Sequence, residues 1–203
     1  MPQPFSIEFI YDFGSPNAYL AYKLLPDIAV RTGAQISYTP VLLGGVFKLT
    51  HNKPPMMAFG GVKNKLDYEM LEMRRFIHDH KLTAFRMNPH FPVNTLMLMR
   101  GAVLADMEGR AQDYAALCFK AMWEDELKMD DPDVLANHLA QNGFSGYDKR
   151  ISRPDVKARL MDNTQKAVER GVFGAPSFFV GDEMFFGKDR LTAVEDMVRQ
   201  HIS

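Results

Sequence analysis

Residues 9–20 read FIYDFGSPNAYL, an apolar run that halts at Gly14-Ser15-Pro16 and resumes with helical spacing. Upstream, Phe5, Ile7, Phe9, Tyr11 and Phe13 recur at period two, and Ile10 adds an apolar residue on the other face, which predicts a largely buried strand. Downstream, Leu20, Leu24 and Ile28 fall at i, i+4, i+8. They predict a helix from Pro16 that stops at Gly33, with Pro26 kinking or splitting it. AQISYTPVLL, residues 34–43, supplies a second strand. The unit is β-α-β, and a right-handed crossover is expected to leave its strands parallel.

Residues 44–63, GGVFKLTHNKPPMMAFGGVK, are rich in Gly and Pro and lose periodicity; a long loop is expected, of a length that usually carries function. From about Lys65 to Gln165 the apolar spacing is helical, with Asp131-Pro132 and Ser152-Arg153-Pro154 as start signals. APSFFVGDEMFFG then gives two short strands around Gly181-Asp182, and KDRLTAVEDMVRQHI closes as a helix. The order β-α-β, helical block, β-β-α is the connectivity of a thioredoxin-like α/β fold with a large all-helical insertion. Residues 1–45 and 166–203 are expected to form the thioredoxin-like domain, and 46–165 the loop and helical insertion.

Composition narrows the function. The 203 residues are 46% hydrophobic and 24% charged with a net charge of −1, and Lys and Arg are scattered, so no nucleic-acid footprint exists. No apolar run nears the ~18 residues that cross a membrane, and MPQPFSIEFI lacks a basic segment followed by an apolar core. No membrane partner and a cytoplasmic location are expected. The single cysteine, Cys118, lies in YAALCFKAMW at core spacing, and without a C-x-x-C pair the chain has no dithiol chemistry of its own. His78 and His80 are two apart, no metal-binding set occurs, and no metal is expected.

Three stretches remain. Ser15-Pro16 after a strand reads as a helix cap; it also places a hydroxyl beside the positive end of a helix dipole, where thioredoxin-like oxidoreductases carry the attacking cysteine. Here position 15 is serine, and Ala18 stands where the second cysteine would be. In GVFGAPSFFVG, Pro176 reads as a strand-opening proline or as a cis-proline facing the helix terminus, with Ala175 presenting its backbone. In FFGKDRL, Asp189 reads as a cap or as the acceptor of an ammonium whose carboxylate meets the helix start. The combination suits a γ-glutamyl tripeptide thiol, and glutathione fits.

The stretches YDFGSPNAYL, HNKPP, FPVNTL and GVFGAPSFFVGDEMFFGKDRL resemble the 2-hydroxychromene-2-carboxylate isomerase and kappa-class glutathione transferase family, within the DsbA-like branch of the thioredoxin fold. The resemblance implies Ser15 as the catalytic residue at the glutathione sulfur, and Asn52, Ala175, Pro176, Lys188, Asp189 and Arg190 as glutathione-binding residues. Tyr19, Lys53 and Trp123 match pocket positions, and Lys188 departs from the serine common there. It also implies a homodimer acting on a small aromatic carboxylate. The isomerase branch implies conversion of 2-hydroxychromene-2-carboxylate to trans-o-hydroxybenzylidenepyruvate in aromatic degradation. A kappa-like transferase or peroxidase, or a non-enzymatic peptide-binding module, is compatible with the same residues.

Overall fold

The computed structural model describes residues 5–202; the opening MPQP, part of the stretch read for a leader, lies outside them. Strands β1 (Ser6–Tyr11), β2 (Gln35–Pro40), β3 (Ser177–Val180) and β4 (Glu183–Phe186) form one sheet in the order β2-β1-β3-β4. β1 and β2 are parallel, as expected, with Phe9 opposite Tyr38, and β3 is antiparallel to both of its neighbours. Helix α1 (Pro16–Thr32) joins β1 to β2 and ends on Gly33, whose φ of 72° is left-handed. Pro26 neither ends nor splits α1. It sits on the exposed side, so the helix loses one backbone bond while Leu20, Leu25 and Ile28 stay packed.

The expected loop at 44–63 is a misreading: α2 (Leu43–Thr50) and α3 (Pro55–Phe59) occupy most of it. α4 (Lys65–Asp79), α5 (Leu96–Met107), α6 (Ala111–Trp123), α7 (Pro132–Gln141), α8 (Tyr147–Arg150) and α9 (Pro154–Glu169) follow, and α10 (Leu191–Ile202) closes the chain. Asp131 caps α7 as its sequence signal predicts, accepting from the N–H groups of Asp133 and Val134. Ser152 does not cap α9, which starts from Arg153 without a side-chain bond.

The alternation of β1 sorts the core onto two faces. Phe9, Tyr11 and Phe13 meet Phe119 of α6 at ring separations of 6.4, 5.6 and 4.8 Å. Ile10 points the other way, into a smaller cluster with Val41, Val46, Ala167, Val172 and Phe179. Cys118 is fully buried, as expected, and burial pushes its thiol up to about 12. No described helix is long and apolar enough to cross a membrane.

Candidate active site

The site grows out of the turn between β1 and α1. Ser15 is 6% exposed; its Oγ accepts the Ala18 N–H at 3.1 Å, which makes it the N-cap of α1. Pro16 has no N–H, and the Tyr19 N–H goes to the Ser15 carbonyl. The Asn17 N–H is then the first-turn donor without an acceptor among the described residues, and it lies at the positive end of the helix dipole.

Opposite this turn runs a strap, residues 173–176, whose consecutive carbonyls are each held by a hydrogen bond, three of them from distant segments of the chain or the neighbouring strand end. Asn52 Nδ2 donates to Phe173 O at 3.0 Å, Ser177 Oγ to Gly174 O at 2.8 Å, Ser15 Oγ to Ala175 O at 2.9 Å, and Gly187 N to Pro176 O at 2.9 Å. The Ala175-Pro176 bond is cis, and so is Phe91-Pro92, for which the sequence reading had no expectation. The strap thus brings Ser15, Asn52, Ala175 and Pro176 together, with Lys188 one residue beyond Gly187.

Lys188 and Asp189 open the 3₁₀ turn Lys188–Arg190, which packs against α1. The Lys188 side chain is buried, with Nζ 2.5 Å from Asp189 Oδ1 and 4.4 Å from the centre of the Phe76 ring on α4. Asp189 and Arg190 are exposed. Lys53 is exposed as well, and its N–H donates to Asn52 Oδ1, which fixes the Asn52 side chain.

Trp123 and Tyr19, expected at the pocket, lie instead in the core. Trp123 is fully buried, donates from Nε1 to the Phe13 carbonyl at 2.9 Å and stacks on Phe85. Tyr19 is 1% exposed, and its hydroxyl donates to Glu124 Oε1, shared with Lys23. Burial and the neighbouring carboxylate push the Tyr19 phenol upward, so it stays protonated. Both aromatic rings support the turn from beneath.

Asp12 escaped the sequence reading. Its side chain, 1% exposed, accepts the Gly14 N–H at 2.8 Å and the Leu43 N–H at 2.7 Å and bonds the Thr95 hydroxyl, while its carbonyl accepts the Ser15 N–H. It ties the Ser15 turn to the start of α2 and to the residue before α5. Burial raises its carboxyl above the ordinary value against the pull of those donors. The available signal was an acid set between Tyr11 and Phe13 at the end of β1.

Residues 6–199 match the DSBA-like thioredoxin domain family. The chain is 30% identical over 193 residues to a 2-hydroxychromene-2-carboxylate isomerase of Pseudomonas putida, covering 93% of this chain and 92% of that one. It is 27% identical to glutathione S-transferase kappa 1 of Caenorhabditis elegans, with 98% and 93% covered. A solved 2-hydroxychromene-2-carboxylate isomerase structure superposes with a TM-score of 0.80 at 28% identity, covering 97% of this chain and 96% of that one. A serine-capped helix facing a cis-proline strap, on a fold matched along nearly its whole length, makes this chain a member of the DsbA-like thioredoxin family, in the branch that holds the 2-hydroxychromene-2-carboxylate isomerases and kappa-class glutathione transferases.

Proposed function

We propose that the chain is a glutathione-dependent isomerase that converts 2-hydroxychromene-2-carboxylate to trans-o-hydroxybenzylidenepyruvate in aromatic degradation, with Ser15 at the glutathione sulfur. The observation that carries this reading is a shielded hydroxyl capping α1 and set against the Ala175 carbonyl. The names of its bacterial relatives favour the isomerase over other thiol chemistry. The reading includes a small aromatic carboxylate substrate, a cytoplasmic setting and a homodimer.

The residues present suit glutathione. When bound, glutathione supplies a thiolate nucleophile that can add to a conjugated ring system and leave again unchanged. Ser15 Oγ–H and the Asn17 N–H lie where the α1 dipole stabilises negative charge. The strap offers an extended backbone at Ala175 for pairing with a peptide. Lys188 and Asp189 place a cation and a carboxylate side by side, complementary to an amino-acid end. Asn52 commits one amide N–H to Phe173 and keeps a second for a ligand.

A kappa-like transferase is the second reading, favoured by the similarity to the Caenorhabditis protein. Turnover with glutathione at a small fraction of the substrate concentration separates the two. The isomerase forms product well beyond the glutathione supplied and leaves it intact; a transferase stops when it is consumed and accumulates conjugate. Absence of turnover, together with no thermal stabilisation by glutathione, would point to the binding module, because a ligand at about 100 times its Kd adds ~2.7 kcal/mol.

A further inference from the structure

We propose that Asp12 is a built-in counter-anion of the site: its carboxylate stands where the N-termini of three helices meet, and it weakens the attraction of that point for an anion bound at Ser15. The role rests on the glutathione reading of the site. It concerns how far the protein ionises the sulfur, because Asp12 is buried and does not touch the ligand.

Three helices begin around this carboxylate. Asp12 Oδ1 accepts the Gly14 N–H at 2.8 Å, at the entry to α1, and Oδ2 accepts the Leu43 N–H at 2.7 Å, the first of α2. Thr95, the residue before α5, turns its hydroxyl to Asp12 and makes no cap bond to its own helix. The pieces are close-set, since a Cβ at Gly14 would stand 3.2 Å from Thr95 Cγ2. Helix N-termini carry partial positive charge, so their meeting point favours an anion, and the chain supplies one itself.

The carboxylate is ionised and alone. Each of its partners among the described residues donates, so none can take up a carboxyl proton, and no Lys or Arg pairs with it there. The Tyr11 phenol, which feels the charge of Asp12, is held protonated by burial. Ser15 lies three residues on, its N–H on the Asp12 carbonyl at 3.1 Å. A second negative charge at Ser15 is drawn in by the dipole of α1 and repelled by Asp12, so the sulfur ionises less readily than the dipole alone would make it. That restraint suits a nucleophile, because a thiolate attacks more weakly as its pKa falls and works best with a pKa near the ambient pH.

The test is the ionisation of glutathione bound to wild type and to Asp12→Asn, followed by thiolate absorbance against pH, with folding checked by circular dichroism. In Asp12→Asn the bound thiol is expected to ionise about one pH unit lower. Glutathione sulfonate, which is anionic at sulfur at every pH, is expected to bind about 10-fold more tightly. A higher thiol pKa with weaker binding of both ligands would show that Asp12 only holds the turn in shape, and would overturn the inference; unchanged values would overturn it too. Asparagine sets an N–H2 against one of the bonded N–H groups, so if the variant fails to fold the wild-type carboxyl is titrated instead, with glutathione sulfonate from about pH 8 to about pH 4.5. Protonation of Asp12 then removes the charge, and affinity is expected to rise about 10-fold toward acid, whereas a flat profile overturns the inference. His51, next to Asn52, would gain charge in the same window, so this titration is made on His51→Gln. Failure of the wild type to bind glutathione would remove the functional reading, and the inference with it; the other overturning results leave that reading intact.

Discussion

The two sides of the first turn of α1 are built from opposite materials. Beneath it lie rings: Phe13 against Phe119 at 4.8 Å, Tyr19 against Phe85 at 5.8 Å, and Phe85 against Trp123 at 6.0 Å. Above it lies a polar rim in which Ser15, Asn52 and Gly187 each donate to a strap carbonyl. Apolar burial is strong and non-directional, whereas hydrogen bonds add little net stability but fix geometry to tenths of an ångström. The rings hold the fold together and the rim aims the site. The sides are joined by the Phe13 carbonyl, which receives the Trp123 indole, and by Asp12, which holds Gly14 and Leu43.

If that division is right, Trp123→Ala gives the largest loss. Removing a fully buried indole is expected to destabilise the fold by ~3–5 kcal/mol in urea unfolding. A loss near 1 kcal/mol would mean that the ring side is not the stable one.

A matched pair of glycines sharpens the contrast. A Cβ at Gly101 would stand 1.9 Å from the Tyr114 hydroxyl, on a ring that is fully buried and stacked on Tyr147, so Gly101→Ala should cost at least ~1–3 kcal/mol. A Cβ at Gly174 would stand 2.8 Å from the Phe186 ring, but that side chain is 42% exposed and can swing outward. Gly174→Ala should stay within ~1 kcal/mol of wild type. Equal melting temperatures for the two variants would erase the distinction between the sides.

The smallest effect belongs to the surface, where Glu195 of α10 pairs with Arg31 of α1 and with Arg199. The two guanidiniums hold its carboxyl at about 2, below the ordinary 4.5. Because the folded value is lowered, the pair's stabilisation is present above the unfolded value near 4.5 and is lost as pH falls toward 2. Glu195→Gln should therefore lose ~0–1 kcal/mol at neutral pH and less in acid, and high salt should shrink the difference. Asp12 acts with the opposite sign: burial raises it in the folded chain, so its contribution fades as pH rises through that raised value.

Much of the sheet and of α1 could be read locally, because Ser15, Pro16 and Gly33 carry their signals within a few residues of the helix they bound. α2 could not. LGGVFKLT contains two glycines and no local cap, which is poor helix-forming sequence. Its first N–H groups are met from afar: Leu42 N–H by Thr164 Oγ1 and Leu43 N–H by Asp12 Oδ2, respectively 122 and 31 residues distant. Gly45 leaves room for the Thr164 side chain of α9, since a Cβ there would stand 3.1 Å from Thr164 Cγ2. Periodicity sees neither partner.

The candidate site divides in the same way. Ser15 and Pro176 stand out by position, whereas Asp12 matters through bonds to segments the sequence keeps apart. The family resemblance implies pocket positions for Trp123 and Tyr19, whereas their bonds to Phe13 and Glu124 set them in the interior. Residue type alone does not tell a ring that lines a cavity from one that walls it off.

The strap has a consequence for variation. Its four anchored groups are all main-chain carbonyls, which every amino acid carries, so the anchoring is indifferent to what side chain stands at position 175. The position that follows is less free, because the ring of Pro176 fixes its φ. Position 175 is therefore a place where a lineage, or a laboratory library, can change the shape offered to a ligand while the scaffold that presents it stays the same.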